Sequence, residues 1–506
     1  MSELRLAPAA LLVWAALLLV HLGHPAVGFA LVAASSAAAW GLGHRGQAVV
    51  LAACGAAAVV VGAVRAGAPE PGAFYSGTVT GRPRLTEHGT WVVSLLVPGL
   101  PVAQPLFVDE LPPVEGFAGL PPGSAVTVDG TRIQAAAPTG WSAFAARVSE
   151  RFRAAVEDSV GPSSQGLIPG MVLGDVSLQT QAEQDVYVAA GLSHLSAVSG
   201  ANISLVTSAA AVALRAVGVG PRAQVAGALA AMAVFVGLVG PEPSVLRASV
   251  AGVVGLLAVV GSTRMQPAHA LSLGALVLLF VRSDLAVNFG FALSMAATAG
   301  IVGLFPLLFR AIAPLGLPDV LGRALAVAVA ADVVTMPIVA LMTGEVSLVS
   351  VLANVLVAPA TAPVTVLGLG AVVLAQFGLA GPLLRLIEPC TWWIFHIAHG
   401  ATALPLTTVA AGPLAVLVVY GWLIFGLTSA RPRLTIAIAA AALLVASWHP
   451  PEPAPDYAHP VVVPSDKDIG AVPPGTTVIV VERGSPRDYP VRTQDGIDVV
   501  YAERGG

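Results

Sequence analysis

Polar side chains lie within long apolar runs of this chain, and these are the residues whose types could do chemistry. In a membrane such groups are costly, so they line watery cavities, pair with one another or bind ions and protons. Serine, asparagine and arginine can hydrogen-bond to phosphate, aspartate can hold a proton, and serine beside a base can act as a nucleophile. The candidates are Ser193, His194, Ser196, Ser199, Asn202, Arg247, Asn288, Asp332 and Asn354.

The densest group of these residues lies in the stretch 187–208. On a regular helix, five small or polar residues of this stretch would share one face: Ser193, Ser196, Gly200, Ser204 and Thr207. Such a stripe lines a cavity or packs closely on a neighbouring helix. Glycine and asparagine at 200 and 202 also favour a loosened backbone. We therefore predict a span at 192–216 with a wet face, loosened in its middle.

Two alternative chemistries are open to these side chains. An intramembrane serine hydrolase would need a base beside Ser199, but His194 lies five residues away, on a different face of a regular helix. A proton-coupled small-solute transporter would use Asp332 and His194 as a proton relay. Asn288 and Asn354 fit equally well as hydrogen-bond links between helices. Arg247 either reaches back to the membrane surface or faces a pore.

The sequence contains little that indicates a cofactor or a metal ion. His396 and His399 stand at helical spacing without a carboxylate partner, and an interfacial aromatic belt explains them better than zinc does. No Gly-x-x-x-x-Gly-Lys-Ser/Thr motif occurs, so we expect no ATPase in this chain. Cys54 and Cys390 are far apart in apolar runs, which is typical of small core residues. We expect no cofactor and no metal.

The elements that must position these residues follow from composition. The chain is 56% hydrophobic and 10% charged, whereas soluble domains carry about a quarter charged residues. Apolar runs of about 18–20 residues recur, which predicts a polytopic α-helical membrane protein with roughly a dozen spans. The first three lie at 6–22, 25–43 and 47–66. Flanking arginines place the N-terminus in the cytoplasm.

Residues 68–140 differ from the rest because short alternating runs replace the long apolar ones. Four such runs, 75–80, 91–97, 105–108 and 125–133, are separated by turn residues. They predict a small extracytoplasmic all-β domain of OB type, with one strand that the pattern does not locate. Acidic residues outnumber arginines here, so both DNA contact and a spacer role remain open.

The remaining segments complete the domain plan. Residues 141–160 predict an amphipathic helix, either lying in the membrane interface or docked on the β domain. Thr180 and Glu183 predict a capping box that starts a helix ending at Gly191, and Asp175 lies in a turn beside Gly174. Residues 346–360 predict a kinked or re-entrant segment. The domains are 1–67 (helices), 68–140 (β), 141–160 (amphipathic helix), 161–448 (channel) and 449–506 (extracytoplasmic β-like tail).

Several of these segments together resemble the ComEC-type competence proteins. Residues 173–175 and 190–200 resemble the hallmark of that family, with Gly174, Asp175, Gly191, His194 and Gly200 as motif residues. Weaker similarity extends through Val245–Ala248, Asn288–Ser294 and 346–359. The 70–138 region resembles the family's OB-like domain, so the resemblance covers roughly residues 1–448.

The resemblance implies a channel that carries single-stranded DNA across the cytoplasmic membrane. It implies single-stranded DNA and membrane lipid as partners, together with an outer DNA receptor and a separate cytoplasmic ATPase motor. The chain departs from the family in two respects: the His-x-His-x-Asp-His motif of the metallo-β-lactamase-like domain is absent, and the β domain lacks paired cysteines. Nuclease activity is therefore not expected. The sequence does not determine the oligomeric state. The polar residues within the predicted spans are compatible with such a channel, because a strand of phosphates needs a wet path with hydrogen-bond donors and a few cations.

Overall fold

The structure is a computed structural model, and it divides into two compact units, Met1–Ile438 and Ala439–Gly506. It describes residues 6–260 except 69–70, 73, 87–89, 118 and 131, and residues 266–428 except 405–406. Beyond these, it describes 434–441 except 436 and 440, then 460–465, 476, 478–483, 491–492 and 497–501. The apolar run at 434–448, which also predicts a membrane span, lies largely outside the described residues.

Three apolar helices open the first unit: α1 (Ala7–His21), α2 (Pro25–Gly41) and α3 (Arg45–Ala66). They confirm the three predicted helical segments. The turns between them use Gly23 and Gly43 at positive φ, which lets the chain reverse within a few residues. Trp14 of α1 docks this group, because its indole N–H donates to the Ala286 carbonyl over 3.0 Å and its ring packs on Phe291.

The β domain follows as a curved, six-stranded antiparallel sheet. Its strands are β1 (Phe74–Val79), β2 (Arg84–Leu85), β3 (Trp91–Leu96), β4 (Gln104–Val108), β5 (Ala125–Asp129) and β6 (Arg132–Ala136). They run in the order β2-β3-β1-β5-β6, with β4 also paired to β3. Val93, Leu95 and Val126 form its core with 0% exposure. The predicted run 125–133 is in fact a hairpin, since Gly130 turns the chain and pairs Asp129 with Arg132.

Helix α4 (Gly140–Ser159) confirms the predicted amphipathic helix but not the predicted surroundings of its apolar face. Val148, Phe152 and Val156 are buried in a core shared with helices of the membrane part. Trp141 and Phe144, at its start, are about half exposed. Packing on these helices therefore covers this part of the apolar face with protein. The short helices α5 (Pro162–Gln165) and α6 (Leu167–Leu173) follow.

The helical part of the first unit continues to residue 428. Its helices are α7 (Gln181–Ala189), α8 (Gly200–Ala216), α9 (Pro221–Val239), α10 (Pro243–Val260), α11 (Pro267–Val281), α12 (Phe289–Ile312), α13 (Asp319–Thr343), α14 (Ser350–Ala375), α15 (Gly381–Thr402) and α16 (Pro413–Thr428). Among the described residues, α3, α9, α12, α13 and α14 are long and apolar enough to cross a membrane. Six further apolar helices are shorter, at 10–17 residues.

The predicted break at 346–360 is wrong in its location. A short strand, β7 (Glu345–Ser347), pairs antiparallel with β8 (Thr408–Ala410), and α14 then runs without interruption from Ser350 to Ala375. Pro359 and Pro363 lie inside α14, where neighbouring helices and the hydroxyls of Thr361 and Thr365 satisfy nearby carbonyls. The non-helical segment is therefore confined to 344–349.

The second unit contains a four-stranded sheet of β9 (Pro460–Ser465), β10 (Val478–Arg483), β11 (Val491–Arg492) and β12 (Asp498–Tyr501). The order is β11-β12-β10-β9, and β10 runs parallel to both β9 and β12. These strands confirm the β-like character predicted for the tail 449–506. Their parallel pairing was not predicted, because alternation along a strand carries no information on the direction of its partner.

Candidate functional site

The turn after α6 holds one of the predicted motif residues, Asp175. Gly174 adopts a left-handed conformation with φ +70°, and the Asp175 backbone N–H closes the turn on the Pro169 carbonyl over 3.1 Å. This geometry directs the Asp175 side chain toward Arg82 of the β domain, whose Nη1 lies 2.6 Å from Oδ2. The Ser149 hydroxyl of α4 donates to the same oxygen over 3.3 Å. Asp175 therefore joins three elements.

The electrostatics of Asp175 follow from this arrangement. Burial by itself would raise the pKa of this carboxyl, but the Arg82 guanidinium and the Ser177 N–H hold the pKa below its ordinary value of 3.8. Asp175 is thus ionised at neutral pH, and its negative charge is compensated by Arg82. Its side chain is 6% exposed, which makes it a buried anchor rather than a surface contact.

The turn after α7 holds the second predicted glycine. The capping box of Thr180 and Glu183 is confirmed, with Thr180 Oγ1 accepting from the Glu183 N–H. The helix ends before Gly191, which has φ +69°. A Cβ at position 191 would lie 2.5 Å from Cβ and Oγ of Ser350. Glycine is required here both by the backbone conformation and by the close approach of α14.

The predicted single helix through 192–216 is wrong in its first part. Residues Ser193–Ser196 form a 3-10 turn, Ala197–Ser199 are extended, and α8 begins only at Gly200. The left-handed turn at Gly191 and the extended Ser199 prevent continuous helix, so Ser193 and Ser196 do not share a helical face with Ser204. Ser199 stands at the N-cap of α8, a position that serine favours.

The side chains of this interrupted segment, 192–199, face different surroundings. Ser193, His194 and Ser199 are exposed. Ser196 is half-buried and accepts from Nε2 of Gln179 over 2.9 Å. The Ser244 hydroxyl of α10 donates to the Val198 carbonyl over 2.8 Å, so the extended backbone finds a partner outside its own segment.

Asn202 is buried between α6 and the start of α8. It is 1% exposed, its Nδ2 donates to the Met171 carbonyl over 2.9 Å, and its Oδ1 accepts from Ser199 Oγ over 3.0 Å. Its amide therefore ties α6 to the start of α8, and a place for Asn202 on a DNA path stays a prediction. The Ser199 hydroxyl donates to the oxygen of this amide.

Arg247 lies against the start of α8. A Cβ on Gly200 would be 3.5 Å from Nη2 of Arg247, and Nε donates to Ser294 Oγ of α12 over 2.7 Å. Its side chain is half-buried and directed between α8 and α12. Asn288 lies apart from this group as an exposed N-cap of α12, with Oδ1 accepting from the Phe291 N–H over 2.9 Å. Asn288 therefore has a structural function in starting that helix.

Asp332 and Asn354 belong to one hydrogen-bonded chain within the helices. Asn354 Nδ2 donates to the Gly191 carbonyl over 3.2 Å and lies 3.4 Å from Ser350 Oγ. Ser350 Oγ donates to Asp332 Oδ1 over 2.9 Å, and the Tyr420 hydroxyl of α16 donates to Asp332 Oδ2. The polar partner predicted for Asp332 is thus present. The His194 ring reaches the end of the same chain, because it hydrogen-bonds the Gly191 backbone.

Sequence reasoning missed Arg82, Ser294 and Tyr420 as partners. Tyr420 carried a usable signal, because it is the one hydroxyl between Pro413 and Gly426 in an otherwise apolar run. Arg82 and Ser294 carried none, since exposed arginines and single serines in apolar runs are common. Within the part of the chain that the structure describes, no group of three or more His, Cys, Asp or Glu side chains is placed to hold a metal ion.

The long apolar helices of the first unit, interrupted by a polar segment, define a helical membrane protein. A family model described as "Competence protein" matches residues 171–433, which is just over half of the chain. The chain belongs to this competence protein family, the family of the ComEC-type proteins. Membership indicates a role in DNA uptake during competence. No curated protein and no solved structure shows significant similarity to this chain.

Proposed function

We propose that this protein is the channel that carries single-stranded DNA across the cytoplasmic membrane during natural transformation. The observation that carries the proposal is the position of Arg247, whose guanidinium lies at the start of α8 beside the interrupted segment. A cation held within the helices, close to the exposed hydroxyl of Ser199 at the N-cap of α8, offers what a passing phosphate requires.

The start of α8 adds to this local positive character. The backbone N–H groups of a first helical turn carry a partial positive charge and bind anions. No side chain caps them here, because the Ser199 hydroxyl is directed to Asn202 instead. Arg247 and these N–H groups are few and partly exposed, so each phosphate is held weakly. Weak, repeated contacts allow a strand to enter and to leave a channel.

The proposal includes a wider arrangement. The shorter apolar helices cross the membrane together with the long ones, which gives roughly a dozen spans. The N-terminus lies in the cytoplasm, and the OB-type β domain and the C-terminal tail lie outside. Single-stranded DNA and lipid are the direct partners. An outer receptor delivers the DNA and a separate cytoplasmic ATPase pulls it, since the chain carries no phosphate-binding loop of its own.

The test is DNA uptake by cells whose only copy of the protein carries Arg247→Gln. We expect uptake of labelled DNA to fall about tenfold or more, because a hydrogen bond to a charged group contributes about 1.5–3 kcal/mol. Arg247→Lys should retain part of the uptake. Arg215→Gln is the matched control, since it removes an exposed arginine from the opposite end of α8. Wild-type uptake by Arg247→Gln at normal protein levels would exclude Arg247 from the path.

A proton-coupled small-solute transporter is the second candidate, favoured by the buried Asp332 with its two hydroxyl partners. It predicts solute flux driven by a pH gradient in proteoliposomes that contain no DNA. It also predicts normal DNA uptake by Arg247→Gln cells. The channel predicts no such flux and a loss of uptake in these cells.

A further inference from the structure

Asp332 is a carboxyl group in the middle of a membrane-length helix, and it holds two other helices. It lies in α13 with 6% exposure. Its two oxygens have separate partners, Ser350 of α14 on Oδ1 and Tyr420 of α16 on Oδ2. Intramembrane carboxylates are rare and are found where protons or ions are handled.

The surroundings of Asp332 supply hydroxyls but no positive charge. Tyr420 is the ionisable residue that faces it from α16. The facing part of α12, around Gly300, and the first turns of α14 contain no ionisable residue. On α13 itself the nearest ionisable residue is Arg323, more than two turns away. Among the described residues no basic side chain pairs with Asp332, so this carboxyl is open to neutralisation by a proton.

Protonation would change the direction of a hydrogen bond at this carboxyl. An ionised carboxylate only accepts, so Ser350 and Tyr420 must both donate to it. A protonated carboxyl donates from one oxygen, and one of the two hydroxyls must then turn away or accept. Ser350 Oγ already has the Asn354 amide as a neighbour at 3.4 Å, so its orientation is linked to that of Asn354.

The chain of contacts ends at the turn that precedes the interrupted segment. Asn354 donates to the Gly191 carbonyl, and Ser350 packs directly against the Gly191 Cα. Ser347, just before α14, donates to the Ala189 carbonyl over 2.6 Å. The start of α14 thus fixes the Gly191 turn, and Asp332 fixes the start of α14. We propose that Asp332 is a proton-binding site whose ionised form holds the Gly191 turn closed and whose protonation loosens the segment 192–199.

The test measures access to position 196, which is half-buried in the structure, and needs no DNA, so its result is independent of the proposed channel function. Ser196→Cys is introduced into the full-length protein in nanodiscs after both native cysteines, Cys54 and Cys390, are replaced by alanine. Maleimide labelling rates of this parent protein are then compared with those of its Asp332→Asn variant from about pH 5 to about pH 9, a range across which buried carboxyls titrate. The rate ratio cancels the titration of the thiol and that of His194, whose ring hydrogen-bonds the Gly191 backbone in both proteins.

Asparagine matches the shape of the protonated carboxyl and stays neutral at every pH. We expect the two rates to agree at low pH. At high pH the parent should label about fivefold more slowly, the factor that corresponds to one net hydrogen bond. Tyr420→Phe should move the transition of the parent to higher pH, because a donating hydroxyl stabilises the ionised form. Ser76→Cys on the exposed face of β1 is the control position, where the ratio should stay at one.

A ratio at Ser196→Cys that is the same at every pH would overturn the proposal, as would an equal change at Ser76→Cys. If Asp332→Asn does not yield a monodisperse protein, the parent and Tyr420→Phe carry the test between them. An unchanged transition in Tyr420→Phe then counts against Asp332 as the proton-binding group.

Discussion

Arg82 of the β domain and Asp175 of the helical part form a largely buried ion pair, with 2.6 Å between Nη1 and Oδ2. The arginine side chain is 22% exposed and the aspartate 6%. Ser149 of α4 donates to the same carboxylate oxygen, so the pair also fixes the helix between the two parts. A family motif residue thus determines where the β domain sits on the helices. A second pair, Arg84 with Glu242 at 3.0 Å, supports the same contact at the surface.

Replacing Arg82 with glutamine should detach this contact. It would leave the Asp175 charge buried without its partner, and we expect a loss of about 2–3 kcal/mol, somewhat less than for a fully buried pair because Arg82 is partly exposed. Thermal unfolding in detergent measures the loss. Arg84→Gln is the matched control, since Arg84 is 72% exposed and such surface pairs contribute about 0–1 kcal/mol. Equal effects of the two variants would contradict the buried role of Arg82.

The same pair predicts a dependence on acid. Because the folded pKa of Asp175 lies below its unfolded value of 3.8, its contribution to stability is complete above that value and is lost as the pH falls through the folded pKa. The melting temperature of the wild type should therefore drop below about pH 4 more steeply than that of Asp175→Asn. Parallel curves for the two proteins would show that Asp175 contributes no such linkage.

Gly191→Ala should be strongly destabilising for two additive reasons. The left-handed backbone at φ +69° costs an L-residue about 1–2 kcal/mol, and the new methyl group would stand 2.5 Å from Ser350. Gly218→Ala is the control, because Gly218 has φ +77° but no atom within 4 Å of its Cβ position, so only the backbone cost applies. Adding Ser350→Gly to Gly191→Ala should recover part of the lost melting temperature. No recovery would mean that Ser350 is not the obstacle.

Asn202→Leu should weaken the attachment of α6 to α8. It would leave the Met171 carbonyl without its donor in a buried site, and we expect a loss of about 1–3 kcal/mol. Ser199→Ala removes an exposed hydroxyl from the same contact and should cost less than about 1 kcal/mol. The melting temperatures of the two variants provide the comparison. If Asn202→Leu keeps the wild-type melting temperature but loses DNA uptake, Asn202 belongs to the path after all.

Local patterns in the sequence determined which segments are helices and strands. The apolar runs predicted α1, α2 and α3, alternation predicted β1, β3 and β4, and the capping box predicted the start of α7 at Thr180. Gly191 was identifiable as a helix stop because glycine favours the left-handed position after a last turn. The predictions failed at 192–199, which is not helical, and at 350–360, which is helical although a break was expected.

Tertiary structure alone decided which polar residues meet. An asparagine within an apolar run suits a pore wall, yet the Asn202 amide donates to the carbonyl of Met171, 31 residues earlier in the chain. Asp332 hydrogen-bonds Tyr420, which lies 88 residues later in the chain, and the Gly191 carbonyl hydrogen-bonds Asn354, which lies 163 residues later. Periodicity reports only which face of its own helix a side chain occupies. Its partner depends on how the helices pack, and in an apolar chain with few charged residues that packing leaves little trace in the local sequence.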